Sequence, residues 1–174
     1  MNLIFWIILI ALIVEFLIGM VSTVLNMRSL SSTPPSGLDD IYESAGYERS
    51  QEYTLANAKF GLIFSTIKLP LGIIFWFAGG FNYVDQFLLD MHWNEIITGI
   101  MFIGVLGLLN MVVDMPFALY STFVIEQKFG FNKTTYGTFL LDMVKSLAIS
   151  IAIGIPMLAG VLYFFGNAGS MGWL

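Results

Sequence analysis

The chain has 174 residues, 57% of them hydrophobic and only 11% charged, with a formal net charge of −5 and a mean hydropathy of +0.84. A soluble domain carries about 25% charged residues, so this much apolar surface calls for a bilayer as solvent. The acidic balance argues against nucleic acid, the lack of cysteine removes disulfides and thiolate chemistry, and a single histidine, His92, leaves almost no room for a histidine-built zinc site.

Four apolar spans follow in order. The first, 3–25, is interrupted by Glu15. It lacks a basic leader and a small-residue cleavage site, and so reads as a retained helix and not a signal peptide. A loop, 26–59, opens with the linker "SLSSTPPSGLDD". It continues into "YERSQEYTLANAKFG", a polar helix with Glu48 and Glu52 one turn apart that leads into the second span. The second span, 60–81, carries Lys68 and Pro70. A connection, 82–95, then leads to the third span, 96–116.

The third apolar run continues past Asp114 and Pro116. From Ile96 to Ile125 is 30 residues, or about 45 Å as one helix against a hydrocarbon core of about 30 Å. Its last turns therefore leave the membrane, with a bend expected at Pro116. The protruding part carries an apolar stripe of Phe117, Tyr120, Phe123 and Val124, which needs cover from this chain or from another domain. Gly130 is placed to stop the helix, and Asn132 or Thr134 to cap the next one. The loop 117–145 leads into the fourth span, 147–165, where Ser146, Ser150 and Gly154 form a small stripe suited to close helix packing.

Arg28, Arg49 and Lys59 lie between spans one and two, and Lys128, Lys133 and Lys145 between spans three and four. The positive-inside rule places both loops in the cytoplasm and both termini outside. The sequence thus predicts an all-α, multi-pass membrane domain over 1–174, with four transmembrane helices and a cytoplasmic helical projection.

The segment "LYSTFVIEQKFGFNKTT", 119–135, resembles the signature of the CAAX prenyl protease type 1 family, P-x-x-L-Y-x-T-F-V-I-E-E-K-x-G-F-N followed by D-x-x-K. Pro116, Leu119, Tyr120, Thr122, Phe123, Val124, Ile125, Glu126, Lys128, Gly130, Phe131 and Asn132 match; Gln127 replaces the second acid, and Asp142 and Lys145 match the D-x-x-K. Glu15 in "VEFL", "PPSGL", "YTLANAKFG" and "FAGGF" extend the resemblance along nearly the whole chain. The resemblance implies an integral-membrane zinc metallopeptidase of eukaryotic or bacterial membranes (the endoplasmic reticulum or an inner membrane). It also implies a wide intramembrane chamber, and prenylated peptides or membrane proteins as substrates. The family's H-E-x-x-H motif is missing from these residues, and "MHWNE" around His92 has the wrong order. What is present resembles the amino-terminal membrane domain, inactive alone, with zinc belonging to a catalytic domain that is missing or separate.

Several residues are candidates for a role. Glu15 and Lys68 lie about 15 and 12 Å from the cytoplasmic ends of their helices, close enough in depth to pair; the alternative is a lysine that snorkels to the interface. Tyr120, Phe123, Glu126, Lys128 and Asn132 are candidates for docking a catalytic domain or framing a substrate entrance. Their simpler reading is a local charge pair and a helix cap. The other functional reading is a free-standing, non-catalytic homologue that binds substrate, lipid or a protease partner. If the basic loops are cytoplasmic, a reporter fused after Leu174 is expected to report the outer side, and one placed within 30–45 the inner side. The opposite pattern would reverse the orientation.

Overall fold

The structure, a computed structural model, describes residues 3–30 and 44–167. The linker read at 29–40 lies mostly outside the described residues. Among those described, every regular element is helical: α1 (Leu3–Ser29), α2 (Ser44–Phe77), α3 (Gly80–Leu89), α4 (Glu95–Tyr120), a π-helical stretch (Ser121–Glu126), α5 (Gln127–Phe129) and α6 (Tyr136–Asn167). Four helical stretches are long and apolar enough to cross a membrane: Leu3–Ser29, Gly46–Phe77, Glu95–Phe129 and Tyr136–Asn167. Lipid offers backbone groups no hydrogen-bond partner, so helices are the only way for such open segments to span it.

The described chain forms two compact units. One comprises 1–74 with 117–132, and the other 75–116 with 133–174. In the first unit, the polar helix expected before span two is continuous with it, so α2 runs unbroken through Lys59, Phe60 and Pro70. Thr54, Ser65 and Thr66 fold their hydroxyls back onto the carbonyls four residues earlier, which satisfies them without a neighbour.

In the second unit, span two ends at Phe77 and not at 81, because Gly79 adopts φ +77° and breaks the helix. The connection expected at 82–95 is largely helical: α3 occupies Gly80–Leu89, with Val84 and Leu88 buried. Asn94 then caps α4, its Oδ1 accepting the Ile97 N–H at 2.8 Å. Within α4, Asn110 Nδ2 donates to Asp114 Oδ2 at 2.9 Å, an i,i+4 pairing of polar groups inside an apolar span. The fourth span starts earlier than 147. Neither Asn132 nor Thr134 is the helix cap; Thr135 Oγ1 accepts the Thr138 N–H at 3.2 Å and begins α6 at Tyr136. Asp142 and Lys145 form an exposed i,i+3 ion pair at 3.6 Å.

The small stripe on α6 does not pack as expected. Ser146 and Ser150 are exposed, and a Cβ on Gly154 would meet nothing within 4 Å. The close approach is made by Gly99 of α4, where a Cβ would stand 2.9 Å from Leu162 Cδ1 of α6. The partly buried line on α6 runs through Met143, Leu147, Leu158 and Leu162, so large residues and not the serines set its packed face.

Candidate functional site

The docking candidates Tyr120, Phe123, Glu126, Lys128 and Asn132 and the membrane charges Glu15 and Lys68 all fall in the first unit. Two arrangements hold them: an elbow at 117–132, clamped by α2, and a cleft between α1 and α2.

The elbow ends as the sequence predicts. Gly130 has φ +74°, its N–H closes on the Gln127 carbonyl at 3.1 Å, and the Phe131 N–H reaches the Glu126 carbonyl at 2.9 Å. This pair of bonds is a Schellman stop. The Asn132 N–H also points to the Glu126 carbonyl, at 3.3 Å, so Glu126 anchors the turn through its backbone. Its side chain, among the described residues, makes no hydrogen bond or ion pair, with Lys128 or otherwise. Lys128 Nζ instead lies 5.4 Å from the Phe129 ring centroid. The local charge pair is therefore absent.

An antiparallel aromatic seam joins the elbow to α2. Tyr53 sits edge-on to Phe129 and Phe131, with centroids 5.7 and 4.7 Å apart. One face further along α2, Phe60 stacks on Tyr120 at 4.9 Å and 24°. Phe64 meets Phe117 at 4.5 Å. Arg49 completes the clamp, its guanidinium 5.9 Å from the Phe131 ring centroid. The same chain therefore supplies the cover that Phe117 and part of Tyr120 require.

The expected stripe is wrong in its second half. An α-helix carrying its inner face from Phe117 would continue through 121, 124 and 128. The buried residues are instead Ile125 and Phe129, while Val124 is 47% exposed. The cause is the π-helical stretch Ser121–Glu126, whose i→i+5 bonding inserts one extra residue and moves the inner face on by one. Phe123 is half-buried, and Tyr120 remains 49% exposed.

The cleft has a volume of about 710 Å³ and is mainly apolar, with Phe16, Met20, Leu62 and Phe64 among its walls. Glu15 from α1 and Lys68 from α2 both line it, and Lys68 Nζ lies 5.1 Å from the Phe64 ring centroid. Depth counting thus brought the two charges to one cavity. Gly19, Ala58 and Gly61 open the space that larger side chains would fill.

The residues do not fit a zinc ion. Among the described residues no three histidine, aspartate or glutamate side chains converge. The His92 ring Nδ1 lies 2.7 Å from the Asp90 carbonyl.

Comparison with known proteins gives a consistent result. The family described as CAAX prenyl protease N-terminal, five membrane helices, matches residues 23–174. The CAAX prenyl protease 1 homolog of Arabidopsis thaliana is 33% identical over 172 residues, covering 90% of this chain and 40% of that protein. CAAX prenyl protease 1 of Saccharomyces cerevisiae is 32% identical over 149 residues, covering 79% of this chain and 32% of that protein. The crystal structure of S. mikatae Ste24p has a TM-score of 0.83 and 29% identity, over 95% of this chain and 40% of that one. The chain thus spans about two-fifths or less of these relatives.

Gly130 is the position in the elbow least able to change. A Cβ there would carry the left-handed cost of about 1–2 kcal/mol and would stand 2.6 Å from the Arg49 guanidinium. Gly130→Ala is expected to destabilise the elbow by at least that amount in detergent unfolding. Adding Arg49→Ala is expected to recover only the steric part. Unchanged stability in Gly130→Ala would show that the turn is not held in this conformation.

Proposed function

The chain belongs to the CAAX prenyl protease family, as its amino-terminal membrane region, and from that premise we propose two tasks for it. It forms part of the wall of an intramembrane chamber, and it presents the surface on which a zinc catalytic domain docks. The substrates served in this way are prenylated peptides or membrane proteins. In this reading the elbow projects into the cytoplasm.

The observation that carries the proposal is the state of the elbow. Its fold is complete, with a Schellman stop and an aromatic clamp, yet its outer side is unfinished. Tyr120 and Val124, one turn apart, are each about half exposed, and the Glu126 carboxylate has no partner among the described residues. A rigid helix end that offers apolar area beside an available carboxylate suits a protein contact. A simple helix connection needs neither.

The cleft supports the second task. Glu15 and Lys68 line one mainly apolar space, where each charge is costly without the other or water. Their mutual stabilisation would keep that space open and polar at one point of the chamber wall.

Two measurements test these tasks separately. In a full-length relative, alanine at the positions of Glu126 and Asn132 is expected to lower proteolysis about tenfold or more, the worth of a charged hydrogen bond, with insertion into the membrane intact. Full activity in both variants would reduce the elbow to a connection. For the cleft, Glu15→Gln and Lys68→Met are each expected to destabilise more alone than the double variant does, with a coupling of about 1 kcal/mol or more. A coupling near zero would leave Lys68 as a residue reaching for the interface.

A further inference from the structure

The connection between spans two and three holds a surface that neither task uses. We propose that α3 is an interfacial helix. Its Tyr83–Phe87 ridge and Trp93 lie in the lipid headgroup layer, on the membrane face where α2 ends and α4 begins.

Position comes first. The apolar run of α2 from Phe60 to its end at Phe77 is about 27 Å long, close to the thickness of the hydrocarbon core. Glu95, the first charge after the connection, opens α4. The chain between these points is therefore at the membrane boundary. With ten residues, α3 is about 15 Å long, too short to cross and long enough to lie along the surface.

The helix is also fastened there. A Cβ on Gly80 would clash with the Phe75 ring, so backbone and ring are in direct contact. Phe81 packs edge-on against Phe75 at 5.0 Å and against Trp76 at 6.5 Å. At the far end, Asp90 and Met91 close the last turn onto the Gln86 and Leu88 carbonyls. His92, at φ +56°, turns the chain back toward α4. Both ends are held at the level of the span termini, so α3 does not stand off into water.

The faces of α3 then decide what it meets. Val84 and Leu88 are buried in the protein. Tyr83 and Phe87, spaced to lie one above the other beside that buried face, are 74% and 53% exposed. Asn82 and Gln86 lie opposite the buried face, and Asp90 closes the helix at the end of the ridge. Past the helix, Trp93 is 42% exposed. Tyrosine and tryptophan favour the layer where one end of the ring is apolar and the other wet. The segment 78–94 contains Asp85 and Asp90 and no lysine or arginine, which matches zwitterionic headgroups and not an anionic surface.

The chain has no cysteine, so single cysteines can carry spin labels without removing a native thiol. Tyr83→Cys, Phe87→Cys, Asn82→Cys and Gln86→Cys would be labelled in the full chain, reconstituted in phosphatidylcholine vesicles. The expected result is a ratio of oxygen to water-soluble nickel accessibility several-fold higher at 83 and 87 than at 82 and 86. Equal nickel accessibility at all four sites would overturn the proposal by placing α3 in water. Shielding of 83 and 87 from both reagents would also overturn it, by showing that protein and not lipid covers the ridge. Positions 82 to 87 all lie outside the elbow and the cleft, so a failure here leaves the docking reading untouched.

Discussion

The hydrocarbon core answers no backbone hydrogen bond, and the rest of the structure is arranged around that constraint. Helices therefore run unbroken through that core, and where they end beyond it the freed backbone groups are closed locally. Among the described residues, three have positive φ: Gly79, His92 and Gly130. Each donates its N–H to the carbonyl three residues earlier, at 3.0, 3.0 and 3.1 Å. The chain leaves α2, α3 and α5 by the same tight device. Two of the three are glycine because the left-handed region costs a side chain about 1–2 kcal/mol. The third, His92, has a ring nitrogen within hydrogen-bond distance of the Asp90 carbonyl, a local contact that helps hold the strained residue.

Once the termini are closed, side-chain packing sets the rest. In the first unit aromatic rings carry much of this work, beside the buried aliphatic residues Leu9 and Ile125. Tyr53, Phe60 and Phe64 fall on one face of α2 and meet Phe129, Phe131, Tyr120 and Phe117 in reverse order. Each such pair contributes about 0.5–1.5 kcal/mol beyond its area, and the directional contacts fix the register of the elbow against α2.

Much of this was legible in the sequence. Runs of apolar residues gave the four spans, and a glycine between two phenylalanines gave the stop at Gly130. The polar helix ahead of span two could be read from its composition and the spacing of Glu48 and Glu52. Three features escaped for separate reasons. Helix α3 is too short for its period to stand out, and its apolar residues Phe81, Val84 and Leu88 looked like the tail of a span and a loop. The cap Thr135 was missed because its partner, three residues on, is Thr138 and not an acid, so the usual box pattern was absent. The small stripe on α6 failed because small residues permit close packing without requiring it, while Gly99 on a different helix was the one that a neighbour approached. The similar depth of Glu15 and Lys68 was legible because rise per residue is nearly constant in a helix, while the faces that bring both to one cleft were not.

The register of the elbow was beyond any reading based on the α-period, and its physical meaning follows from asking what an unbroken α-helix would do. Without the inserted residue, position 128 would take the inward place that Phe129 holds. Lys128 would then face Tyr53, and its ammonium would lose water without gaining a carboxylate, a cost of several kcal/mol. The π-helical stretch removes that conflict. It turns Ile125 and Phe129 inward, leaves Lys128 in the open, and keeps Tyr120 and Val124 on the outer side. A π-insertion forfeits ideal helix geometry, which explains why such stretches are rare and confined to places where one displaced residue matters. Here the displacement lets one continuous helix be apolar toward α2 over its last turns while presenting a different, partly polar face outward. Five residues of the family signature, Thr122 to Glu126, lie within the π-helical stretch, so the departure from α-geometry falls inside the signature, at the place where an unbroken α-helix could not satisfy both sides at once.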